Sequence, residues 1–324
     1  MELLSIIQSH KDLLEKKLEE LDIPSAPAEL YEPIRYILSL GGKRMRPVML
    51  MMAAEMFDGN KEEAINQALA VEVFHNFTLV HDDIMDAAPV RRGNQTVHKK
   101  WNENIAILSG DVMFVLAYRL ISSNRTPKLH KILDVFNTTA IEVCEGQQYD
   151  MNFEIQENVT IADYIEMIRL KTAVLLGGTL KIGAIIAETT EDNGNYIYEF
   201  GQNLGLAFQL QDDLLDVYGD PNKFGKQVGG DILTNKKTYL YLKAYELADD
   251  SMKVKLDEAF AMSDFQKVKA VTDLYNQLGV RDYTQQMMDS YYLKAMDNMK
   301  QIDAPDHKKA PLLEIADLLM VRES

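Results

Sequence analysis

The sequence has a single cysteine, Cys144, so no disulfide can form within the chain and no oxidising compartment is called for. Positive charge is in deficit: Lys and Arg number 34 against 50 Asp and Glu, a formal charge of −16. Nonspecific nucleic-acid binding needs clustered cations in excess to neutralise phosphates, so nucleic acid is not an expected partner. Any basic patch must be local. Uninterrupted apolar runs reaching the ~18 residues of a bilayer span are missing, and the chain is expected not to span a membrane. The N-terminal MELLSIIQSHK carries an acid at position 2 and an apolar stretch too short for a secretory signal. These absences lead to a soluble, cytoplasmic protein as the expectation.

Alternating strand-like runs are scarce as well, while apolar residues recur at three- and four-residue spacing through most long segments, so the pattern predicts an all-α fold. Helices are expected over 3–21, 28–40, 47–57, 61–85, 105–122, 128–150, 161–188, 193–218, 238–248, 253–262, 265–278, 281–301 and 311–320. No proline occurs between Pro127 and Pro221, which permits long helices through the middle of the chain. The breaks DIPSAP, SLGGKRMRP, DAAPVRRGNQ, NRTP, YGDPNKFGKQVGGD and DAP are rich in Gly, Pro, Asn or Asp. None has the length or composition of a flexible interdomain linker, so one large helical domain over 1–324 is expected.

Against this background stands LVHDDIMDAAPVRRG, where Asp82, Asp83 and Asp86 end an apolar run and Arg91 and Arg92 follow at once. Spacing by four puts Asp82 and Asp86 on one helix face, where like charges repel and also oppose the negative end of the helix dipole. One such cluster reads equally well as a solvated helix end. FQLQDDLLDVYGD repeats the same Asp-Asp-x-x-Asp spacing in Asp212, Asp213 and Asp216, and two matching clusters point to a shared chemistry. Oxygen-only carboxylate sets suit Mg²⁺, which keeps much of its water and shares phosphate oxygens with a substrate. Neither cluster has the Cys and His pattern of zinc.

Cations sit at the breaks and helix ends: Lys43 and Arg46 in GGKRMRP, Arg91 and Arg92 in RRG, Lys171 in RLKTA, Lys226 in FGKQVGGD and Lys236 in NKKT. Arg recognises phosphate through two parallel donors, and Lys acts as a point charge. Each alone is ordinary surface in an acidic protein; beside two aspartate clusters the set reads as diphosphate binding.

In order along the chain, GGKRMRP, HDDIMDAAPVRRGNQTVH, LKTA, FQLQDDLLDVYGD and FGKQVGGDILTNKKT resemble the trans-prenyltransferases, the isoprenyl diphosphate synthases. The resemblance covers about residues 30–242, with a weaker helical tail. It implies an isoprenoid-synthase-like helix bundle around a central cavity and a homodimer. It also implies three Mg²⁺ ions on an allylic diphosphate, held by Asp82, Asp86 and Asp212 with Asp83, Asp213 and Asp216 in support. By the same resemblance Arg91, Lys171, Lys226 and Lys236 hold that diphosphate, while Lys43, Arg46, His75 and Arg92 hold isopentenyl diphosphate. His75 lies seven residues before Asp82, two turns away on nearly the same face; without the resemblance it reads as a core histidine. Thr172, Gln209 and a backbone carbonyl near Lys171 are the implied dipoles for an allylic cation. Gln147 and Asp150 are further polar candidates for the cavity, or simply exposed positions on a helix.

The resemblance also implies that product length is set by side chains below the first aspartate motif. Phe77 and Phe74 lie about 7.5 Å and 12 Å below Asp82 along a helix axis. Bulk at Phe77, the smaller Thr78 beside it and no insertion in the motif lean toward a twenty-carbon product from dimethylallyl, geranyl or farnesyl diphosphate, with fifteen carbons as the alternative. Helical pitch alone turns Phe77 about 140° from Asp82 and Thr78 only about 40°, and does not choose Phe77. A terpene cyclase or a non-catalytic partner subunit would share much of this pattern, but neither requires both intact aspartate motifs. A metal phosphohydrolase, argued from His75 and His81-Asp82, gives the second cluster no role.

Overall fold

The computed structural model describes residues 2–123, 126–219 and 229–320. Among them helices dominate. In chain order they are α1 (Glu2–Glu19), α2 (Ala28–Ser39), α3 (Met45–Met56), α4 (Lys61–Met85), α5 (Val97–Lys100), α6 (Glu103–Ile121), α7 (Leu129–Ile155) and α8 (Ile161–Ile168). A π-helical turn, Arg169–Ala173, leads into α9 (Val174–Ile186), followed by α10 (Glu191–Tyr218), α11 (Gly230–Leu233), α12 (Tyr239–Leu247), α13 (Asp250–Phe260), α14 (Asp264–Leu278), α15 (Val280–Gln301) and α16 (Asp306–Met320). Between α4 and α5 lies a small antiparallel hairpin, β1 (Val90–Arg91) and β2 (Asn94–Gln95), with Val90 opposite Gln95. Its two-residue turn is Arg92-Gly93 with φ of 52° and 75°, the pair of positive φ values that a type I′ hairpin turn requires.

The all-α expectation holds, and its departures have local causes. The segment expected as one helix over 161–188 is broken by the π turn, which periodicity cannot reveal because the apolar spacing continues through it. The last helix begins before Pro311, which sits inside it, whereas the sequence pattern alone starts the helix at that proline. The start of α6 moves back to Glu103 because the Asn102 side chain caps it, accepting from the Ile105 N–H at 2.9 Å. In the same way Asp249 accepts from Met252 N–H at 2.8 Å and starts α13 three residues earlier than expected.

The chain packs into two compact units, each assembled from three stretches. The first comprises Met1–Phe136, Thr179–Gly194 and Ala304–Leu312; the second comprises Asn137–Gly178, Asn195–Asp303 and Leu313–Ser324. Interleaved stretches need no Gly- or Ser-rich linker, which is why composition marks no boundary.

In the first unit α4 packs along α6 and α3. Helix α3 is buried continuously from Pro47 to Ala54, and Ala68, Val71 and Phe74 of α4 are likewise buried. By length and composition alone α6 is the one described helix apolar enough to cross a membrane, although Asp111 interrupts its run. The second unit buries Tyr164, Leu206, Leu210, Leu240, Leu256, Val271 and Tyr275 in a common core.

Entry into α3 depends on a buried ion triad. Arg44 adopts φ of 50°, and its fully buried guanidinium donates to Glu72 of α4 at 2.5 Å, to Glu15 of α1 at 2.9 Å and to the Leu38 carbonyl at 2.6 Å. The Asn76 amide also donates to Glu72, at 2.8 Å. Removing Glu72 leaves the buried guanidinium with only the partly exposed Glu15 as counter-charge, so Glu72→Ala is expected to cost about 3 kcal/mol, the low end for a broken buried pair. Arg44→Met with Glu72→Leu should cost less than Glu72→Ala alone, as read by urea unfolding of the three proteins.

Candidate active site

Helix α4 is capped at its start by Asn60, whose side chain accepts from Glu62 N–H at 2.9 Å, and it ends at the first aspartate cluster. Its last turn leaves Asp82 partly exposed and Asp86 exposed, while Asp83 is buried at 1%. Arg91 reaches back from β1 to Asp83: Nε lies 2.9 Å from both carboxylate oxygens and Nη2 lies 2.7 Å from Oδ1. The two charge clusters of LVHDDIMDAAPVRRG are thus close in sequence because the hairpin folds one onto the other. Arg92, at the hairpin turn, donates to the Gly41 carbonyl. Its guanidinium passes 3.1 Å from where a Gly42 Cβ would stand, an approach that a small shift of the arginine would relieve, whereas the φ of 145° at Gly42 is what favours glycine there.

Arg46 donates from Nη1 to His75 Nε2 at 3.3 Å. Because guanidinium only donates, Nε2 is the acceptor and the imidazole proton is on Nδ1. Burial, with Arg46, Arg92 and Arg91 adding positive charge, holds His75 well below the usual histidine range. It is neutral at pH 7. Arg92, His75 and Arg46 are therefore neighbours within the first unit, and Lys43 lies exposed in the segment between α2 and α3.

In the second unit a recess of about 210 Å³ is lined by Asp212, Asp213 and Asp216, by Lys171, Thr172 and Gln209, and by Asp150, Asp231 and Lys236, with Met167 and Ile168 as apolar wall. Lys171 Nζ donates to Asp150 Oδ2 at 2.5 Å, and Lys236 Nζ stands 3.6 Å from the same oxygen. Burial works to raise the Asp150 carboxyl, but Lys236 and Lys171 outweigh it and hold it below the ordinary aspartate value. Thr172 Oγ1 donates to Gln209 Oε1 at 3.2 Å, and Gln209 Nε2 donates to Asp213 Oδ1 at 3.3 Å. Tyr164 donates its hydroxyl proton to Asp213 Oδ2. Burial, then the charge of Asp231, push Asp213 up to about 8. Asp216 Oδ2 accepts the Asp231 backbone N–H at 3.0 Å.

Eight of the sequence candidates, Asp150, Lys171, Thr172, Gln209, Asp212, Asp213, Asp216 and Lys236, thus share one recess. Asp82, Asp86, Arg91, Arg92, Lys43, Arg46 and His75 belong to the first unit. Lys226 lies outside the described residues. Sequence reasoning missed Tyr164 and Asp231. Asp231 ends the GGD of FGKQVGGDILTNKKT, where an acid after two glycines was a usable signal; Tyr164 carries none, since an aromatic at helical spacing reads as core.

Below the first cluster the aromatic side chains of the first unit form a ladder. Phe77 stacks on Phe114 at 5.1 Å and packs against Phe74 at 5.6 Å; Phe74 meets Phe136 at 5.4 Å, and Tyr118 bridges Phe114 and Phe136. Phe77 is partly exposed whereas Phe74 is 1% exposed. Phe114 and Tyr118 come from α6 and Phe136 from α7, so position relative to the aspartate motif could not reveal them.

Among the described residues no three His, Cys, Asp or Glu side chains converge tightly enough to hold a metal by themselves. Sparse carboxylates with oxygen donors only remain a fit for Mg²⁺, whose sphere is completed by water and phosphate oxygens.

Comparison with known proteins gives a consistent result. The family profile described as polyprenyl synthetase matches residues 27–278. A geranylgeranyl diphosphate synthase of Methanosarcina mazei is 36% identical over 328 aligned positions, covering 100% of this chain and 99% of the relative. A crystal structure of a geranylgeranyl pyrophosphate synthase superposes with a TM-score of 0.93 at 46% identity, covering 98% of this chain and 99% of the other. The corresponding synthetase of Pyrococcus horikoshii gives 0.93 at 36% identity, covering 99% and 98%.

The Asp150 pairing yields a pH-dependent expectation. A carboxyl whose folded pKa is depressed contributes stability that is present above its unfolded value of about 3.9 and lost as pH falls through the folded value. Asp150→Asn should therefore cost about 1.5–3 kcal/mol at pH 7 and about the same at pH 5. Urea unfolding should show the difference between wild type and variant shrinking below pH 4.

Proposed function

The chain belongs to the polyprenyl synthetase family, and from that premise we propose that it joins isopentenyl diphosphate to dimethylallyl, geranyl and farnesyl diphosphates and yields geranylgeranyl diphosphate. As a short-chain trans-prenyltransferase, it must separate an allylic carbon from its diphosphate and offer the resulting cation to a second substrate. The observation that carries the proposal is the second unit's recess, where Lys171, Lys236 and five aspartates, three of them the second cluster, meet the oxygen atoms of Thr172 and Gln209.

Asp82 and Asp86 at the end of α4, and Asp212 and Asp216 in the recess, would hold Mg²⁺. Bound there, the ions supply positive charge against the charge that grows on departing diphosphate. Lys171 and Lys236 line the recess as phosphate-binding cations, and Arg91 and Lys226 are assigned to the allylic diphosphate by the family's motifs alone. Thr172 commits its proton to Gln209, so its lone pairs are left for the electron-poor carbon. Lys43, Arg46, Arg92 and neutral His75 bind the isopentenyl diphosphate; its double bond attacks C1 of the allylic cation, a new carbon–carbon bond forms, and a proton leaves to the released diphosphate. No protein base is required.

A twenty-carbon product is proposed from Phe77 as the floor, backed by Phe74 and Phe114; a fifteen-carbon product is the alternative outcome. The names of the relatives from Methanosarcina mazei and Geoglobus acetivorans favour twenty. A homodimer is part of the proposal, since Leu108 and Val115 expose 57% and 66% of their surface along α6, an apolar strip that a second copy would cover.

Incubation with isopentenyl diphosphate, each primer and Mg²⁺ tests the reaction: elongated chains are expected, and release of phosphate or of a cyclic hydrocarbon would refute it. Asp82→Ala and Asp212→Ala should each lose most turnover while remaining folded; near-normal rates at saturating Mg²⁺ would remove them from the metal set. Phe77→Ala should lengthen the dominant product by one or more isoprene units, and Phe74→Ala with it should lengthen it again. If Phe77 is only core, truncation costs about 3–5 kcal/mol and chromatography of the dephosphorylated products shows unchanged lengths.

A further inference from the structure

Lys171 and Thr172 are consecutive, yet both line the same recess; on an α-helix neighbouring residues point about 100° apart. The π turn Arg169–Ala173 widens the coil here, with Val174 N–H reaching the Arg169 carbonyl. Turns of this kind are rare and need an external reason to persist. Two helices of the second unit supply it, each with the same four-residue spacing.

On α7 the positions are Glu142, Gly146 and Asp150. Glu142 meets Arg169 at 3.4 Å, and Asp150 meets Lys171 at 2.5 Å. Between them, a Cβ on Gly146 would stand 2.2 Å from the Lys171 nitrogen and 2.7 Å from the Leu170 carbonyl carbon. On α10 the positions are Gly205, Gln209 and Asp213. A Cβ on Gly205 would stand 2.7 Å from Ala173 Cα, Gln209 accepts from Thr172, and Asp213 accepts from Tyr164 just before the turn. Spacing by four keeps each set on one helix face. Each helix therefore brings a glycine that admits the turn's backbone and, one turn on, a polar side chain that catches one of its two functional residues.

We infer that Gly146 and Gly205 are positioning residues that clamp the π turn from opposite ends and so set Lys171 and Thr172 in register for the allylic diphosphate. The functional half rests on the prenyl-transfer reading; the mechanical half does not. Neither glycine has a positive φ, so backbone conformation does not demand glycine at either place. The close approach does. Because backbone atoms, not flexible side-chain ends, lie where the methyl groups would go, an alanine must displace the turn itself.

The test uses Gly146→Ala and Gly205→Ala in the full chain, with Gly183→Ala as control. Gly183 also faces backbone, 2.4 Å from the Leu50 carbonyl oxygen, but belongs to the first unit, so it reports the cost of a backbone clash that does not involve the π turn. Displacement of reacting groups by about 1 Å costs roughly a hundredfold in rate, so kcat should fall by about that factor in both clamp variants while KM for isopentenyl diphosphate stays within about twofold. Gly183→Ala should keep its kcat. Hydrogen exchange over 165–178 should quicken at least about tenfold in the clamp variants only, and this readout stands whether or not the chain elongates primers. If the exchange changes but wild type does not elongate primers, the reaction is wrong and the clamp stands. Should the alanines not fold, Ala173→Gly removes a buried methyl group from the α10 side of the turn and should lower kcat in the same sense. Normal kcat and exchange in folded clamp variants, normal kcat in Ala173→Gly, or an equal loss in Gly183→Ala would overturn the inference.

Discussion

Asp83 and Asp213 are buried carboxylates, and the geometry around both aspartate clusters depends on how each is held. An acidic triplet in one helical turn repels itself, and burying its middle member adds a desolvation cost. In the first unit that cost is offset by Arg91, folded back by the β1–β2 hairpin so that three donor contacts reach one carboxylate. In the second unit no cation among the described residues is in direct contact; the Tyr164 hydroxyl and the Gln209 amide donate to Asp213 and offset the burial only in part, since its carboxyl is still pushed up to about 8. The same sequence spacing is therefore solved by two different chemistries. In both, the middle carboxylate is engaged by protein donors and the outer ones, Asp82 and Asp86 or Asp212 and Asp216, keep more exposure.

From Asp213 the constraint spreads. Gln209 can donate to Asp213 only by turning its oxygen toward Thr172, which fixes the direction of the Thr172 proton. Thr172 is in turn held by the π turn, and Lys171 beside it is held by Asp150. A polar network in which every member has a partner is rigid, whereas one missing donor leaves an expensive orphan. The first unit uses the same device at Arg44, which ties α1, α2 and α4 through Glu15, Leu38 and Glu72.

Much of this was legible beforehand. Apolar spacing located the helices because burial of one face acts at every turn, and two Asp-Asp-x-x-Asp runs marked the chemistry because like charges at that spacing are costly unless they serve a ligand. Lys171, Thr172 and Gln209 were legible only through the resemblance to trans-prenyltransferases; nothing local to LKTA or to FQLQ says that the two segments meet. Tyr164 was not legible, since its polar tip is inseparable from its apolar ring in a hydrophobic pattern.

What the amino-acid sequence determined by itself is the helical class and the places where charge accumulates, because both follow from interactions between residues a few positions apart. The tertiary structure alone decided which carboxylate of each cluster is buried, which donor holds it, and where the helix at Arg169–Ala173 widens into a π turn. It also decided which aromatics join Phe74 and Phe77: Phe114, Tyr118 and Phe136 arrive from α6 and α7. Those outcomes rest on approaches between distant stretches, such as Gly146 against the Lys171 nitrogen. A glycine inside a helical pattern looks like a mere weakness until the backbone that needs its missing side chain lies against it.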